Sequence, residues 1–297
     1  MKFLITGSNG LLGQKIVRQL KKKGASFLAT SLGENRNSNC PPENYQSLDI
    51  TNSQAIKKVF ADYQPDIIIN TAAITNVDAC EHDERLCRKI NVDAVNYLFQ
   101  ASIEQNTFFI HLSTDFVFDG ENGPYKEGDE RNPLSVYARS KADSEDVLTD
   151  SNYSNWAILR TIIVFGQGEN LSRSNLILWA KSALASGQKL TIVNDQFRAP
   201  TWADDLAWAC IETARIKAKG VYHICGSDFG SIYDLVVRIA EHYGYDKSNV
   251  VPISSTQLNQ PANRPPRTGF DLTKAEEILG YSPKNLEDCL DLLDESV

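Results

Sequence analysis

A tyrosine and a lysine lie four residues apart near the middle of this chain. Tyr137 and Lys141 belong to the segment Tyr-Ala-Arg-Ser-Lys, which begins a predicted helix, so their side chains share one helix face. A tyrosine hydroxyl has an ordinary pKa of about 10, and a neighbouring ammonium lowers such a pKa toward neutral pH. The pair is therefore typical of a site where a phenol exchanges a proton with a reacting oxygen.

A threonine precedes this pair at the end of a predicted strand. The run His-Leu-Ser-Thr-Asp-Phe-Val-Phe-Asp-Gly covers residues 111–120, and the strand is predicted over residues 108–113. Open α/β sheets bind ligands at the carboxyl ends of their strands. The Thr114 hydroxyl is therefore expected to hydrogen-bond the substrate oxygen that Tyr137 protonates. We predict Thr114, Tyr137 and Lys141 as the catalytic residues.

A glycine-rich loop begins the chain's first βα unit. Gly-Ser-Asn-Gly-Leu-Leu-Gly, residues 7–13, follows the predicted strand at residues 2–6 and opens a predicted helix. Glycines permit a tight turn and a close approach of backbone to a pyrophosphate, whose charge a helix N-terminus attracts. The pattern predicts a dinucleotide cofactor. The predicted cofactor contacts here and at later strand ends are Gly7, Asn9, Gly10, Leu11, Leu12, Gly13, Asp49, Ile50, Thr71, Ala72, Ala73, Tyr137 and Lys141.

The end of the second predicted strand bears on the choice of cofactor. Thr30 and Ser31 stand where a carboxylate usually binds the ribose 2′-hydroxyl, and Glu34 lies further downstream. Hydroxyl groups with Arg36 nearby suit a 2′-phosphate instead. Ser31 and Arg36 are therefore added to the predicted contacts, and the sequence favours NADPH over NADH.

Short apolar strands alternate with amphipathic helices through the first half of the chain, and they include a strand predicted over residues 46–50, a helix over residues 84–105 and a strand over residues 156–164. Residues 66–70 read Asp-Ile-Ile-Ile-Asn, which is typical of a strand buried on both faces. Repeated βα units of this kind predict an α/β fold, a Rossmann-like doubly wound parallel sheet. The rhythm changes near Gly166, so we expect a dinucleotide-binding domain over residues 1–166. Residues 167–297 are expected to form mainly a smaller substrate-binding lobe, with some segments returning to the first domain.

Composition narrows the classes of partner. The chain has 297 residues and a net charge of −8, which gives no reason to expect nucleic acid or an anionic membrane as a partner. No run of apolar residues is long enough for a membrane span. The six cysteines lack Cys-x-x-Cys pairs, which favours free thiols in a reducing cytoplasm. Cys80, His82 and Cys87 lack a fourth ligand nearby, so no metal site is predicted.

Taken together, these motifs resemble the extended short-chain dehydrogenase/reductase family, and within it the branch of the dTDP-4-dehydrorhamnose reductases. The resemblance covers nearly the whole chain. Its most specific markers are Ser-Thr-Asp-Phe-Val-Phe-Asp-Gly at residues 113–120 and Asp-Gln-Phe-Arg-Ala-Pro-Thr at residues 195–201. It implies reduction of a 4-keto group on a nucleotide-activated deoxysugar, with the family's catalytic roles falling on Thr114, Tyr137 and Lys141. A homodimer is one possible assembly. The predicted substrate contacts are Thr75, Thr114, Asp115, Phe116, Ile163, Arg198 and Arg264.

Two departures from the family pattern leave the sugar open. Ile163 stands where the resemblance implies a tryptophan beside the substrate, and Arg198 stands where it implies a glycine. Arg198, Arg264 and Arg267 are expected to pair with a substrate diphosphate.

Three other functions remain as alternatives. A sugar-nucleotide dehydratase resembles this chain but reads Thr-Asp-Glu where this chain has a phenylalanine, Phe116, that cannot move protons. A 4-epimerase needs the same tyrosine and lysine and returns the hydride. A non-catalytic regulatory subunit, resembling the beta subunit of methionine adenosyltransferase, would bind the cofactor and act through a partner protein.

Overall fold

The computed structural model describes residues 1–172, 174–258 and 260–294. Its strands, numbered along the chain, are β1 (Lys2–Thr6), β2 (Ser26–Ser31), β3 (Tyr45–Ser47), β4 (Ile67–Asn70), β5 (Phe108–Thr114), β6 (Trp156–Thr161), β7 (Val164–Phe165), β8 (Leu190–Val193), β9 (Phe197–Arg198), β10 (Thr201–Trp202), β11 (Gly220–Ile224), β12 (Gly230–Ser231), β13 (Val250–Ile253) and β14 (Arg267–Thr268).

The helices of the described residues follow the same order. They are α1 (Leu11–Lys22), α2 (Ser53–Tyr63), α3 (Val77–His82), α4 (Glu84–Arg88), α5 (Ala94–Glu104), α6 (Val136–Thr149), α7 (Leu176–Ala185), α8 (Ala203–Ile216), α9 (Ile232–His242), α10 (Thr273–Leu279) and α11 (Leu286–Asp294). Among these helices, none combines the length and the apolar character that crossing a membrane requires.

Seven parallel strands form the main sheet in the order β11-β6-β5-β4-β1-β2-β3. Strand order reverses between β1 and β4, because β2 and β3 extend to one side and β5 and β6 to the other. Parallel sheets of this kind leave a ligand crevice at the carboxyl ends of the strands where the order reverses. The predicted Rossmann-like fold class is confirmed.

Helices cover both faces of this sheet. One apolar core joins α1 and α8 to the sheet through residues such as Ile16, Leu20 and Leu206. The other core joins α2 and α5 to the opposite face through Phe60 and Phe99. The sheet is therefore buried on both sides, as the β-branched run in β4 predicts.

The lobe has its own apolar core, in which α7, α9 and α11 pack with β8 and β13. Two segments after Gly166 nevertheless belong to the main sheet, since β11 pairs with β6 and α8 packs on α1. The division at residue 166 stays a prediction. Residues 173, 259 and 295–297 of the predicted lobe lie outside the described part of the chain.

Several predicted element bounds are wrong. The third strand was expected over residues 46–50 but ends at Ser47, so the segment of Asp49 and Ile50 follows it. The helix expected over residues 84–105 contains a wider, π-helical turn at Lys89–Asp93. The strand expected over residues 156–164 ends at Thr161, because Ile163 has a φ of 36°, outside the range of an extended strand.

Candidate active site

A cleft of about 610 Å³ opens at the carboxyl ends of the main sheet's strands. Most of the predicted site residues lie in its wall, although they come from separate parts of the chain. Those residues are Asn9, Gly10, Leu11, Leu12, Gly13, Arg36, Thr71, Ala72, Ala73, Thr75, Thr114, Asp115, Phe116, Tyr137, Lys141 and Ile163.

The glycine loop is packed too tightly for side chains. Gly7 has a φ of 71°, and a Cβ there would lie 2.7 Å from the Ala72 backbone nitrogen. A Cβ on Gly13 would lie 2.4 Å from the Gly7 carbonyl oxygen. Gly7 itself lies outside the cleft wall. The glycines therefore let the start of α1 approach β4, which places the first turn of the helix on the cleft.

Two observations fit a bound dinucleotide. Helix α1 has Gly10 as its N-cap residue, which supplies no side-chain cap, and has no acidic residue in its first turn, so its first N–H groups are available to a phosphate. The buried Ser113 hydroxyl lies in the cleft wall and has no hydrogen-bond partner among the described residues. Buried polar atoms are normally satisfied, so a bound group is expected there.

The loop after β2 is fixed against the glycine loop. The Asn9 side chain accepts a hydrogen bond from the Arg36 backbone nitrogen at 2.8 Å and donates one to the Glu34 carbonyl oxygen at 2.8 Å. Arg36 lies in the cleft wall, and its guanidinium donates to the Asn170 carbonyl oxygen at 3.3 Å. The Arg36 guanidinium thus lies at the end of the cleft where the loop after β2 contacts the glycine loop.

The three predicted catalytic residues meet in the cleft because their elements adjoin. Thr114 ends β5, and helix α6 brings Tyr137 and Lys141 over that strand end. Ser135 caps α6 by accepting a hydrogen bond from the Ala138 backbone nitrogen at 3.2 Å. Such a cap fixes where the helix begins, and so it fixes the helix turn that carries Tyr137.

Lys141 is buried and sits beside an uncharged ring. Its ammonium lies 3.1 Å from Nε2 of His111. Burial lowers the pKa of Lys141 to about 8, although Glu145 and Cys87 oppose the shift. Burial, together with Lys141, holds the pKa of His111 well below its usual range, so that ring is neutral. A lysine with this pKa changes charge close to neutral pH.

One residue at the base of the site was not predicted. Asn91, in the π-helical turn, donates to the Ser140 hydroxyl at 3.0 Å and exchanges hydrogen bonds with the backbone of Ile74 at 2.9 and 3.0 Å. It therefore ties the loop after β4 to the helix of Tyr137. A lone asparagine in a predicted helix gives no sequence signal for this role.

The loop after β7 was also missed. Leu171, Ser172, Ser174 and Asn175 line the cleft. The loop is held by Gln14, which donates to the Glu169 carbonyl oxygen at 2.8 Å and accepts from the Glu169 backbone nitrogen at 2.8 Å. These contacts span 155 positions of sequence, so only the folded chain reveals them.

The prediction that Arg198 pairs with a substrate diphosphate is wrong. Arg198 is 2% exposed and lies behind the cleft wall. Its guanidinium donates to the carbonyl oxygens of Phe197, Pro266 and Pro265 at 2.7, 3.2 and 2.5 Å. Its Nε lies 3.5 Å from the Asp115 carboxylate. Every donor group of this guanidinium therefore faces the protein itself.

Other predicted contacts also lie outside the cleft wall: Ser31, Asp49, Ile50 and Arg264. The Asp49 carboxylate accepts from the Thr51 backbone and hydroxyl at 2.8 Å each, because the chain has left β3 before reaching it. Arg264 donates to Asp78 at 2.8 Å, and Arg267 stacks on the Phe197 ring at 4.2 Å. Direct contact of these side chains with a ligand stays a prediction.

Fold and site together define an oxidoreductase of the extended short-chain dehydrogenase/reductase type. The family model described as "RmlD substrate binding domain" matches residues 1–295, and the chain belongs to that family.

Named relatives span almost the same length. The chain is 33% identical to a probable low-salt glycan biosynthesis reductase, Agl14, of Haloferax volcanii, over 99% of this chain and 97% of that protein. It is also 33% identical to a dTDP-4-dehydrorhamnose reductase of Aggregatibacter actinomycetemcomitans, over 97% of each. A crystal structure of a dTDP-4-dehydrorhamnose reductase from Clostridium acetobutylicum has a TM-score of 0.88 at 31% identity, over 100% of this chain and 99% of that one.

Subunits of a different kind also match. The chain is 28% identical to the methionine adenosyltransferase 2 subunit beta of Bos taurus, over 93% of this chain and 82% of that protein. The relatives thus include proteins named as reductases and proteins named as subunits. The residues of the candidate site therefore decide which kind of relative this chain resembles in function.

Proposed function

We propose that this protein uses NADPH to reduce the 4-keto group of a nucleotide-activated deoxysugar. The observation that carries the proposal is the convergence of Thr114, Tyr137 and Lys141 with the first turn of α1 in one cleft. The presence of both Tyr137 and Lys141 on α6 favours a reductase over a subunit that only binds cofactor. The reductases among the named relatives give the substrate class.

The residues divide the chemistry among themselves. When bound, reduced nicotinamide supplies the hydride. Tyr137 gives its proton to the ketone oxygen as that oxygen becomes an alcohol. The Lys141 ammonium stabilises the phenolate that Tyr137 becomes, and burial strengthens this attraction because little water screens it. Thr114 orients the ketone oxygen toward Tyr137.

The cofactor and the assembly of the protein are also part of the proposal. Arg36 in the cleft wall suits a 2′-phosphate, so we propose NADPH rather than NADH. A homodimer and a cytoplasmic location also stay proposals, which light scattering on the purified protein and cell fractionation would test.

The test is NADPH oxidation by the full-length protein against a panel of nucleotide 4-ketosugars. We expect turnover with at least one sugar and a loss of about 10²–10⁴-fold in kcat in Tyr137→Phe. A matched control exists in the lobe, where Tyr243 and Lys181 form another tyrosine–lysine pair, 4.3 Å from ammonium to ring centre. Tyr243→Phe should keep wild-type turnover.

The outcomes separate the alternatives. Wild-type turnover in Tyr137→Phe would remove the proton donor from the proposal. Interconversion of sugars without net NADPH loss, together with cofactor retained through purification, would indicate an epimerase. Reduction of no sugar, with a stoichiometric partner recovered by pull-down, would indicate a regulatory subunit.

A further inference from the structure

Arg198 is a large polar side chain enclosed behind the cleft, and the proposed reaction does not yet use it. It stands at the position where the family resemblance implies a glycine. Its guanidinium lies 5.4 Å from the centre of the Phe116 ring and 3.5 Å from the Asp115 carboxylate. Both of those residues lie in the cleft wall. Arg198 therefore packs behind the turn at residues 114–116 and supports it. This turn contains the predicted catalytic threonine, Thr114.

The Asp115 carboxylate accepts several hydrogen bonds beside Arg198. It accepts hydrogen bonds from the hydroxyls of Thr114, at 3.0 Å, and of Thr268. Its carboxylate is buried, and burial of a carboxylate raises its pKa unless other groups compensate the charge. Burial does raise the pKa of Asp115, while Arg198 and the two hydroxyls oppose the shift.

The direction of the Thr114 hydrogen bond matters for the reaction. Thr114 donates to Asp115 and accepts from the Phe116 backbone nitrogen at 3.2 Å. A ketone oxygen only accepts hydrogen bonds, so Thr114 assists it only by turning its O–H away from Asp115. Leaving a buried carboxylate without partners is costly. Arg198 and Thr268 remain on Asp115 when Thr114 turns, and they reduce that cost.

We propose that Arg198 is a positioning residue: it compensates the Asp115 carboxylate so that the Thr114 hydroxyl is released to the substrate oxygen. The proposal deepens the proposed ketone reduction and rests on it. It also accounts for an arginine whose remaining donors bind the carbonyls of Phe197, Pro265 and Pro266, because those bonds fix the guanidinium at Asp115.

The kinetic test compares Arg198→Met with the double variant Arg198→Met/Asp115→Asn. We expect Arg198→Met to lower kcat at least about tenfold, while KM for the sugar and Kd for NADPH change less than about threefold, since the side chain lies outside the cleft. The double variant should regain part of the lost kcat, because the neutral amide introduced at position 115 holds the threonine hydrogen less strongly than a carboxylate does. A purely structural arginine would not show this recovery in folded enzyme.

The matched control is Arg238→Met. Arg238 also pairs with carboxylates, those of Asp228 and Glu287 at 2.8 and 2.6 Å, but it lies in the lobe. It should leave kcat unchanged. Wild-type kcat in Arg198→Met, or a double variant no faster than the single one, would overturn the proposal.

A second readout does not depend on turnover. The crystal structure of Arg198→Met should show the Thr114–Phe116 turn displaced, and that of the double variant should show it restored. An unmoved turn in Arg198→Met would overturn the positioning role. If the wild-type protein reduces no ketosugar, the proposed function fails, and the crystal structures still decide whether Arg198 positions the turn.

Discussion

Two buried cations lie within the site region, and their surroundings differ. Lys141 lies in the cleft wall beside the neutral His111 ring and, within the described residues, forms no ion pair. Arg198 lies behind the wall and bonds a carboxylate and three carbonyl oxygens. Both are almost fully buried, at 3% and 2% exposed.

The charge of Lys141 is therefore available to a reacting group, whereas the charge of Arg198 stabilises the surrounding structure. Burial, only partly opposed by the charge of Glu145, moves the pKa of Lys141 to about 8, so its charge responds to its surroundings. An arginine stays protonated in proteins, and its planar fork suits fixed contacts with several oxygens. Residue type and partner set together decide which role a buried cation takes.

The largest effect is expected for Lys141→Met, which tests whether the charge of Lys141 takes part in the reaction. Methionine keeps most of the length and removes the charge, so the phenolate of Tyr137 loses its compensating ammonium. We expect kcat to fall by about 10²-fold or more. Lys181→Met is the control, since Lys181 also lies beside a tyrosine but in the lobe. Equal losses in both variants would show that the cleft lysine has no special role.

The pH profile tests whether the Lys141 charge is adjustable. The ammonium is present below its pKa and is lost as pH rises, so ketone reduction should weaken on the alkaline side. We expect kcat/KM to fall about tenfold per pH unit above about pH 8. Lys141→Arg keeps its charge throughout this range, so a fall at the same pH in this variant would assign the fall to ionisation of the Tyr137 phenol and not to Lys141. A wild-type profile flat to about pH 10 would contradict the assignment.

A third cation, Arg36, gives the smallest expected effect because it is solvent-exposed. If it binds a 2′-phosphate, Arg36→Ala should weaken NADPH binding about fivefold to tenfold and leave NADH binding unchanged. Fluorescence titration of both cofactors measures the two constants. Equal loss for both cofactors would mean that Arg36 supports the loop rather than the phosphate.

Sequence reasoning placed residues correctly in the cleft where their position follows from local backbone. The glycine loop, the end of β5 and the first turn of α6 each belong to one strand–helix junction, and strand-end geometry brings them together. It failed for Arg198 and did not foresee the ion pair of Arg264, because an arginine's partner depends on distant segments. Asp78 is 186 positions from Arg264, and Pro265 is 67 positions from Arg198. The role of Asn91 was not predicted for the same reason, since its partners Ile74 and Ser140 are distant in sequence.

The π-helical turn at Lys89–Asp93 has a consequence for the whole helix that contains it. Each residue of an α-helix advances about 100° around the axis, so the wider turn rotates everything after it relative to everything before it. Asn91 can thus donate to Ser140 on α6 while Val95 and Phe99 face the core under the sheet. Deleting one residue here would restore a regular helix and turn one of these two faces toward solvent. The extra residue lets one helical segment bond the helix of Tyr137 at its π-helical turn and fill the core along the turns that follow.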